Sequence, residues 1–141
     1  MKMEGDWIGF YEYGAGYLLP YFGQRVNFRL SLTDTEDGFE GTSIEDDSKF
    51  AIKEISKISG FVEEGMISFA NTYANYYGID EESMELKIEI EGKEYQVNYS
   101  GHYDEKFDCF YGSWEIQYHD LEYEVQVSSG IWKMEKETTL G

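Results

Sequence analysis

Two histidines, His102 and His119, flank the single cysteine, Cys109, and these side chains carry the chain's clearest capacity for metal or nucleophilic chemistry. Structural zinc takes several convergent nitrogen and sulfur ligands, commonly in compact Cys-x-x-Cys or His-x-x-x-His spacings. Neither spacing occurs, and Asp104 and Asp108 are the nearby carboxylates that would have to complete a set. A Cys–His nucleophile needs an enclosed pocket and oxyanion donors. Cys109 falls on the strand parity opposite Phe110 and Trp114, and His102 on that opposite Val97 and Tyr99, so both are expected to point outward. Glycoside chemistry requires two carboxyl groups facing one cleft, roughly 5 to 9 Å apart. Glu85, Glu89, Glu122 and Glu124 belong to polar strand faces, and nothing selects Asp46 or Asp47. The sequence therefore predicts no catalytic residue, no metal site and no cofactor, hence a protein that is not an enzyme.

The remaining chemistry is that of aromatic surface. Trp7, Phe28, Leu30, Phe69, Tyr73, Tyr99, Phe110, Trp114, Tyr118 and Trp132 fall on the apolar parity of their segments. Such a set either fills a core or lines a cavity suited to a small, mostly apolar or aromatic ligand. In the second case Trp7, Phe69, Tyr73, Tyr99, Trp114, Tyr118 and Trp132 are the ligand-binding candidates. The tyrosine hydroxyls would fix orientation and the indoles would supply stacking area. Lysine and arginine are missing from the set, which argues against a clamp for a fatty-acid carboxylate.

The elements that position these residues are short strands. Trp7, Gly9, Tyr11 and Tyr13 share a parity in the first, and Val26, Phe28, Leu30 and Leu32 in the second. Thr33 to Gly38 turns the chain into a third strand over 39–44. Residues 45–54 read as a helical turn or loop, with Asp46 or Asp47 as a cap. Ile58, Gly60 and Val62 then lead through Glu63-Glu64-Gly65 to Ile67, Phe69 and Tyr73 as a hairpin. Residues 74–82 read as a connection. Met84, Leu86, Ile88 and Ile90 are predicted to pair with the strand from Tyr95 to Gly101 across Glu91-Gly92-Lys93. Phe110 to Tyr118 and Leu121 to Val127 make two further strands. Ser128-Ser129-Gly130 is read as a turn or bulge before a final strand through Trp132 and Met134, with a charged tail from about residue 136. The apolar loop 17–24 is expected to fold over an open end of the core.

No long amphipathic helix covers the apolar face of these strands, so the sheet must close on itself or pair with a second sheet. The fold class is all-β: one domain over residues 1–141, an antiparallel up-and-down barrel of about eight strands, with a two-sheet sandwich as the alternative. Length fits a single core. Twenty-nine acidic against 11 basic residues give a formal charge of -18, which repels nucleic acid and anionic membranes alike. One cysteine excludes an internal disulfide framework. The polar start, Met1 to Asp6, has no secretory apolar stretch, so cytoplasmic residence is the default expectation.

Gly5-Asp6-Trp7 at the start, with Gly112-Ser113-Trp114 and Gly130-Ile131-Trp132 late in the chain, resembles the pattern of calycin-type barrels, the grouping of lipocalins, fatty-acid-binding proteins and avidins. The small avidin-like barrels are the most similar in length and in glycine–aromatic spacing. The resemblance implies an eight-stranded antiparallel barrel, open at one end and often holding a small ligand. No match to biotin-contacting residues accompanies it, so that ligand is not carried over. The expected function is non-catalytic small-molecule binding. The alternative is a filled structural barrel that mediates protein–protein interaction or homodimerisation.

Overall fold

The computed structural model describes residues 1–119 and 125–138, with side chains for 1–116 and 128–138. Eight strands form a closed antiparallel barrel in the order β1 (Gly5–Tyr13), β10 (Val125–Lys136), β9 (Cys109–His119), β8 (Tyr95–Asp104), β5 (Met66–Tyr73), β4 (Ser56–Glu63), β3 (Phe39–Glu45) and β2 (Arg25–Asp34). Two more strands, β6 (Tyr76–Ile79) and β7 (Leu86–Ile90), pair only with each other. Closure removes the sheet edges and gives the alternating strands one common interior, as in β2, where Val26, Phe28, Leu30 and Leu32 are buried between exposed neighbours.

The late Gly-x-Trp segments owe their spacing to the register of β9 and β10. Trp132 stands opposite Gly112, and Trp114 stands opposite Gly130. The Trp114 indole thus occupies space that Gly130 leaves open, and the Trp132 ring takes space left by Gly101 of β8, where a Cβ would lie 3.0 Å from it. A Cβ at Gly130 would lie 2.6 Å from the Trp114 ring, and one at Gly112 would lie 1.9 Å from the Ser100 carbonyl oxygen. Both indole N–H groups find backbone acceptors. Trp132 donates to the Ser100 and Ser113 carbonyls, each at 3.0 Å, and Trp114 to the Glu12 carbonyl at 3.2 Å.

Trp132 meets Phe69 and Tyr99 edge-on, with ring centroids 5.3 and 5.7 Å away, while Phe69 and Tyr99 stack at 4.6 Å. Below this layer Trp7 packs on Phe110 at 5.6 Å. Met3, 2% exposed, accepts the Trp7 indole N–H on its carbonyl at 2.8 Å and donates its own N–H to Asp34 at 2.8 Å, so the N-terminal residues close this end.

The two ends of the barrel differ because their connections differ. At the closed end the strands turn through 35–38, 64–65 and 105–108. Glu64 and Gly65 both have positive φ, 51° and 78°, the geometry that two-residue hairpins favour. At the other end lie the long connections 14–24, 46–55 and 74–94.

Three local expectations are corrected. Residues 84–90 do not pair with β8: β7 pairs with β6, inside the stretch read as a connection, and β5 takes β8 through Tyr73↔Tyr95 to Met66↔His102. Alternation identifies both segments as strands, but it does not name their partners, and the β5–β8 pairing both closes the barrel and buries Phe69 on Tyr99. Second, Ser128-Ser129-Gly130 is no turn, since β10 runs unbroken through it with Gly130 in register against Trp114. Third, Cys109 is 4% exposed despite its outward parity. It opens β9 among the charged groups of Lys133, Asp104, Glu135 and Asp108, and parity at a strand end does not guarantee access to water. The 45–54 stretch takes the loop alternative. Asp46 does cap a turn, receiving the Ser48 N–H at 2.9 Å, but bends follow it and no helix. The part of the expected Leu121–Val127 strand before Val125 lies outside the described residues.

Trp132→Ala should destabilise the fold by about 3–5 kcal/mol, and Gly112→Ala by about 1–3 kcal/mol, in denaturant titration. Losses below about 0.5 kcal/mol in both would contradict the buried Trp132 layer and the close approach of Gly112 to the Ser100 backbone.

Candidate functional site

At the end with the long connections the barrel interior opens into a cavity of about 800 Å³. Its barrel wall is made by Tyr11 and Tyr13 of β1, Tyr73 of β5, Tyr95, Val97 and Tyr99 of β8, and Trp114 and Ile116 of β9. The cover comes from Tyr17, Leu18 and Tyr21 of the first loop and from Tyr76, Tyr77, Gly78, Ile79, Met84 and Leu86 of the β6–β7 excursion. The depth follows from the layers beneath, because the Phe69–Tyr99–Trp132 packing forms a solid floor.

Tyr21 joins the covering segments. Its ring is wholly buried, edge-on to Tyr13 at 5.2 Å and to Phe50 at 5.1 Å, and its hydroxyl donates to the Met84 carbonyl at 2.9 Å. One side chain thereby connects the 14–24 loop, the 46–55 loop and the β6–β7 excursion. Leu18, Leu19 and Phe22 of the same loop are exposed by 81, 75 and 50%, so only part of this apolar loop turns inward.

The binding candidates read from sequence divide by height. Tyr73, Tyr99 and Trp114 line the cavity. Phe69 lies in the floor, where it borders a minor void of about 10 Å³. Trp132 lies in the same floor layer, and Trp7 sits deeper still against Phe110, with neither bordering the cavity. The side chain of Tyr118 lies outside the described residues. Tyr11, Tyr13, Tyr17, Tyr21, Tyr76, Tyr77 and Tyr95 complete the lining and were not among the candidates. The inward parity of β1 already pointed to Tyr11 and Tyr13. Those on the covering segments, Tyr17 and Tyr21 in a loop and Tyr76 and Tyr77 on β6, lie in stretches that read as connections and carried no such signal.

Glu45 was also unforeseen: it borders the minor floor void and reaches the cavity through the hydroxyls of two lining tyrosines. Counting by twos from Phe39 through Gly41 and Ser43 turns it inward, but a strand ended at residue 44 conceals this. Its carboxylate accepts the Tyr11 hydroxyl at 2.5 Å, the Tyr73 hydroxyl, and the Ile52 N–H at 2.9 Å. Asn71 in turn donates to the Tyr73 oxygen at 3.1 Å. Burial raises the Glu45 carboxyl above its ordinary value, opposed by these three donated hydrogen bonds. Burial also pushes the Tyr11, Tyr73 and Tyr99 phenols well above theirs, and the Glu45 charge adds to the effect. Tyr77, at the cover, is pushed up to about 12 by burial and by its hydrogen bond to Glu54. These phenols are neutral hydrogen-bonding groups at physiological pH, able to orient a ligand and present π faces, and unsuited to act as phenolate bases.

The residues first considered for chemistry remain apart. His102 is exposed and pairs with Tyr111, while Cys109 pairs with Asp104. Burial raises the Cys109 thiol, which disfavours the reactive thiolate. Among the described residues, no group of three or more His, Cys, Asp or Glu side chains is placed to hold a metal ion. Comparison with known protein families, with curated proteins and with solved structures finds no match for the chain. The closed eight-stranded antiparallel barrel agrees with the architecture implied by the calycin resemblance.

Because the folded state raises the Glu45 carboxyl, it binds that proton more readily than the unfolded chain does, and this contribution to stability is lost as pH rises. In Glu45→Gln the loss is absent. The melting temperature of the variant relative to native protein should therefore climb as pH goes from about 4 to about 8. A relative gain by the native protein over that range would contradict the burial of this carboxylate.

Proposed function

We propose that this protein binds a small organic molecule in the tyrosine-lined cavity and does so without transforming it. The single observation that carries the reading is the cavity itself. Its volume of about 800 Å³ falls within the roughly 300–1,000 Å³ of small-molecule sites. Its lining joins apolar and aromatic walls to nine tyrosine hydroxyls, Ser128 and the carboxylates of Glu81 and Glu89. The filled-barrel alternative describes only the closed half, where Trp7, Phe110 and Met134 pack.

The calycin resemblance supports the same reading, since those barrels hold ligands at an open end. The orienting groups are Tyr11 and Tyr73, whose hydroxyls are themselves fixed by Glu45. Trp114 supplies an indole in the wall. Chemical transformation has little support, because the phenols stay protonated and the thiol is remote from the cavity lining.

The neutral fluorescent probe N-phenyl-1-naphthylamine should bind saturably with a Kd of about 1–100 µM and gain emission on leaving water. Ser128 borders the cavity and is only partly buried, so Ser128→Trp should fill the space without upsetting the floor and should weaken the probe at least about tenfold. Absence of saturable binding, or equal binding by folded Ser128→Trp protein, would overturn the proposal.

A further inference from the structure

The charge of the cavity lining is one-sided. Glu81 and Glu89 border the cavity, and no lysine or arginine does so among the described residues. Glu45 stands behind the wall, bound to the hydroxyls of Tyr11 and Tyr73, and no ion pair to Glu45, Glu81 or Glu89 is found among the described residues. Between these carboxylates lie aromatic rings whose faces carry the negative part of a quadrupole. A phenol that donates its proton towards a carboxylate gains electron density on its oxygen and ring, so Glu45 makes Tyr11 and Tyr73 better hosts for positive charge. Tyr76, at the cover, already has the Lys93 ammonium 4.6 Å from its ring centroid, although Lys93 does not enter the lining.

Resting on the proposed binding role, we infer that the ligand is an organic cation: an ammonium-bearing molecule with an apolar or aromatic body, its charge held against the Tyr11 and Tyr73 rings with Glu45 behind them. An aromatic enclosure with nearby carboxylates recognises such a group by cation–π attraction and by restoring a counter-charge. A carboxylate ligand would meet the same field as repulsion. A neutral ligand would leave Glu45 without a counter-charge.

Tryptamine, tryptophol and indole-3-acetate share one indole body and carry positive, zero and negative charge. Calorimetric titration at about 0.15 M salt, which screens the general acidity of the surface, should give tryptamine a Kd at least about tenfold below that of tryptophol, with indole-3-acetate weaker than both. In Glu45→Gln, checked for folding by circular dichroism, the tryptamine-to-tryptophol preference should shrink to within about threefold. Tryptophol or indole-3-acetate binding as well as tryptamine would overturn the cation inference and leave the cavity reading intact. A preference unchanged in folded Glu45→Gln would overturn the role given to Glu45. Failure of all three probes up to about 10 mM would overturn the cation inference and count against the cavity reading as well.

Discussion

Trp114 and Trp132 can share one barrel interior because Gly130 leaves room for the first indole and Gly101 for the second. Two indoles facing ordinary side chains across neighbouring strands would overfill the space, and close-packed interiors tolerate no such excess. The room these glycines leave on β8 and β10 sets the height of everything else. It brings Trp132 onto the Phe69–Tyr99 stack as a floor and leaves Trp114 above, its indole in the cavity wall. The cavity is the space above that packed layer.

The two halves have different chemistry for one reason. Below the floor the inward residues are apolar and meet one another, as Trp7, Phe110 and Met134 do. Above it they are largely tyrosines, which add a hydroxyl to each ring, and buried hydroxyls need partners. Glu45 serves two of them. A carboxylate held there without a cation is unfavourable in the free protein, and a binding site can draw on that when a ligand of the right charge enters.

Strand periodicity made the barrel legible, because alternation is a local property that β2 and β9 display without interruption. The Gly-x-Trp segments were legible as fold markers, and their meaning emerged from register, which pairs each glycine with the other segment's tryptophan. Partner choice was less visible. Residues 84–90 have the alternation of a barrel strand, yet they pair with β6 outside the barrel while β8 takes β5. The site was legible only in part, through Tyr73, Tyr99 and Trp114. Parity distinguishes inside from outside but not upper from lower, so Trp7 and Trp132 looked equivalent to Trp114. Of the covering tyrosines, Tyr17 and Tyr21 sit on a loop and Tyr76 and Tyr77 on the short β6, in stretches that read as connections, and Glu45 was hidden by ending its strand one residue early.

The central claim is that the interior is packed at one end and receives a ligand at the other. The three tryptophans sample this division, with Trp114 in the cavity wall, Trp132 in the floor and Trp7 at the closed end. Fluorine NMR of protein labelled with 5-fluorotryptophan, followed while N-phenyl-1-naphthylamine is titrated in, reports on all three positions together. The account predicts a large saturable change at the Trp114 resonance, a smaller one at Trp132 and none at Trp7. A bound probe that moves Trp7 most, or that leaves Trp114 unmoved, would contradict it.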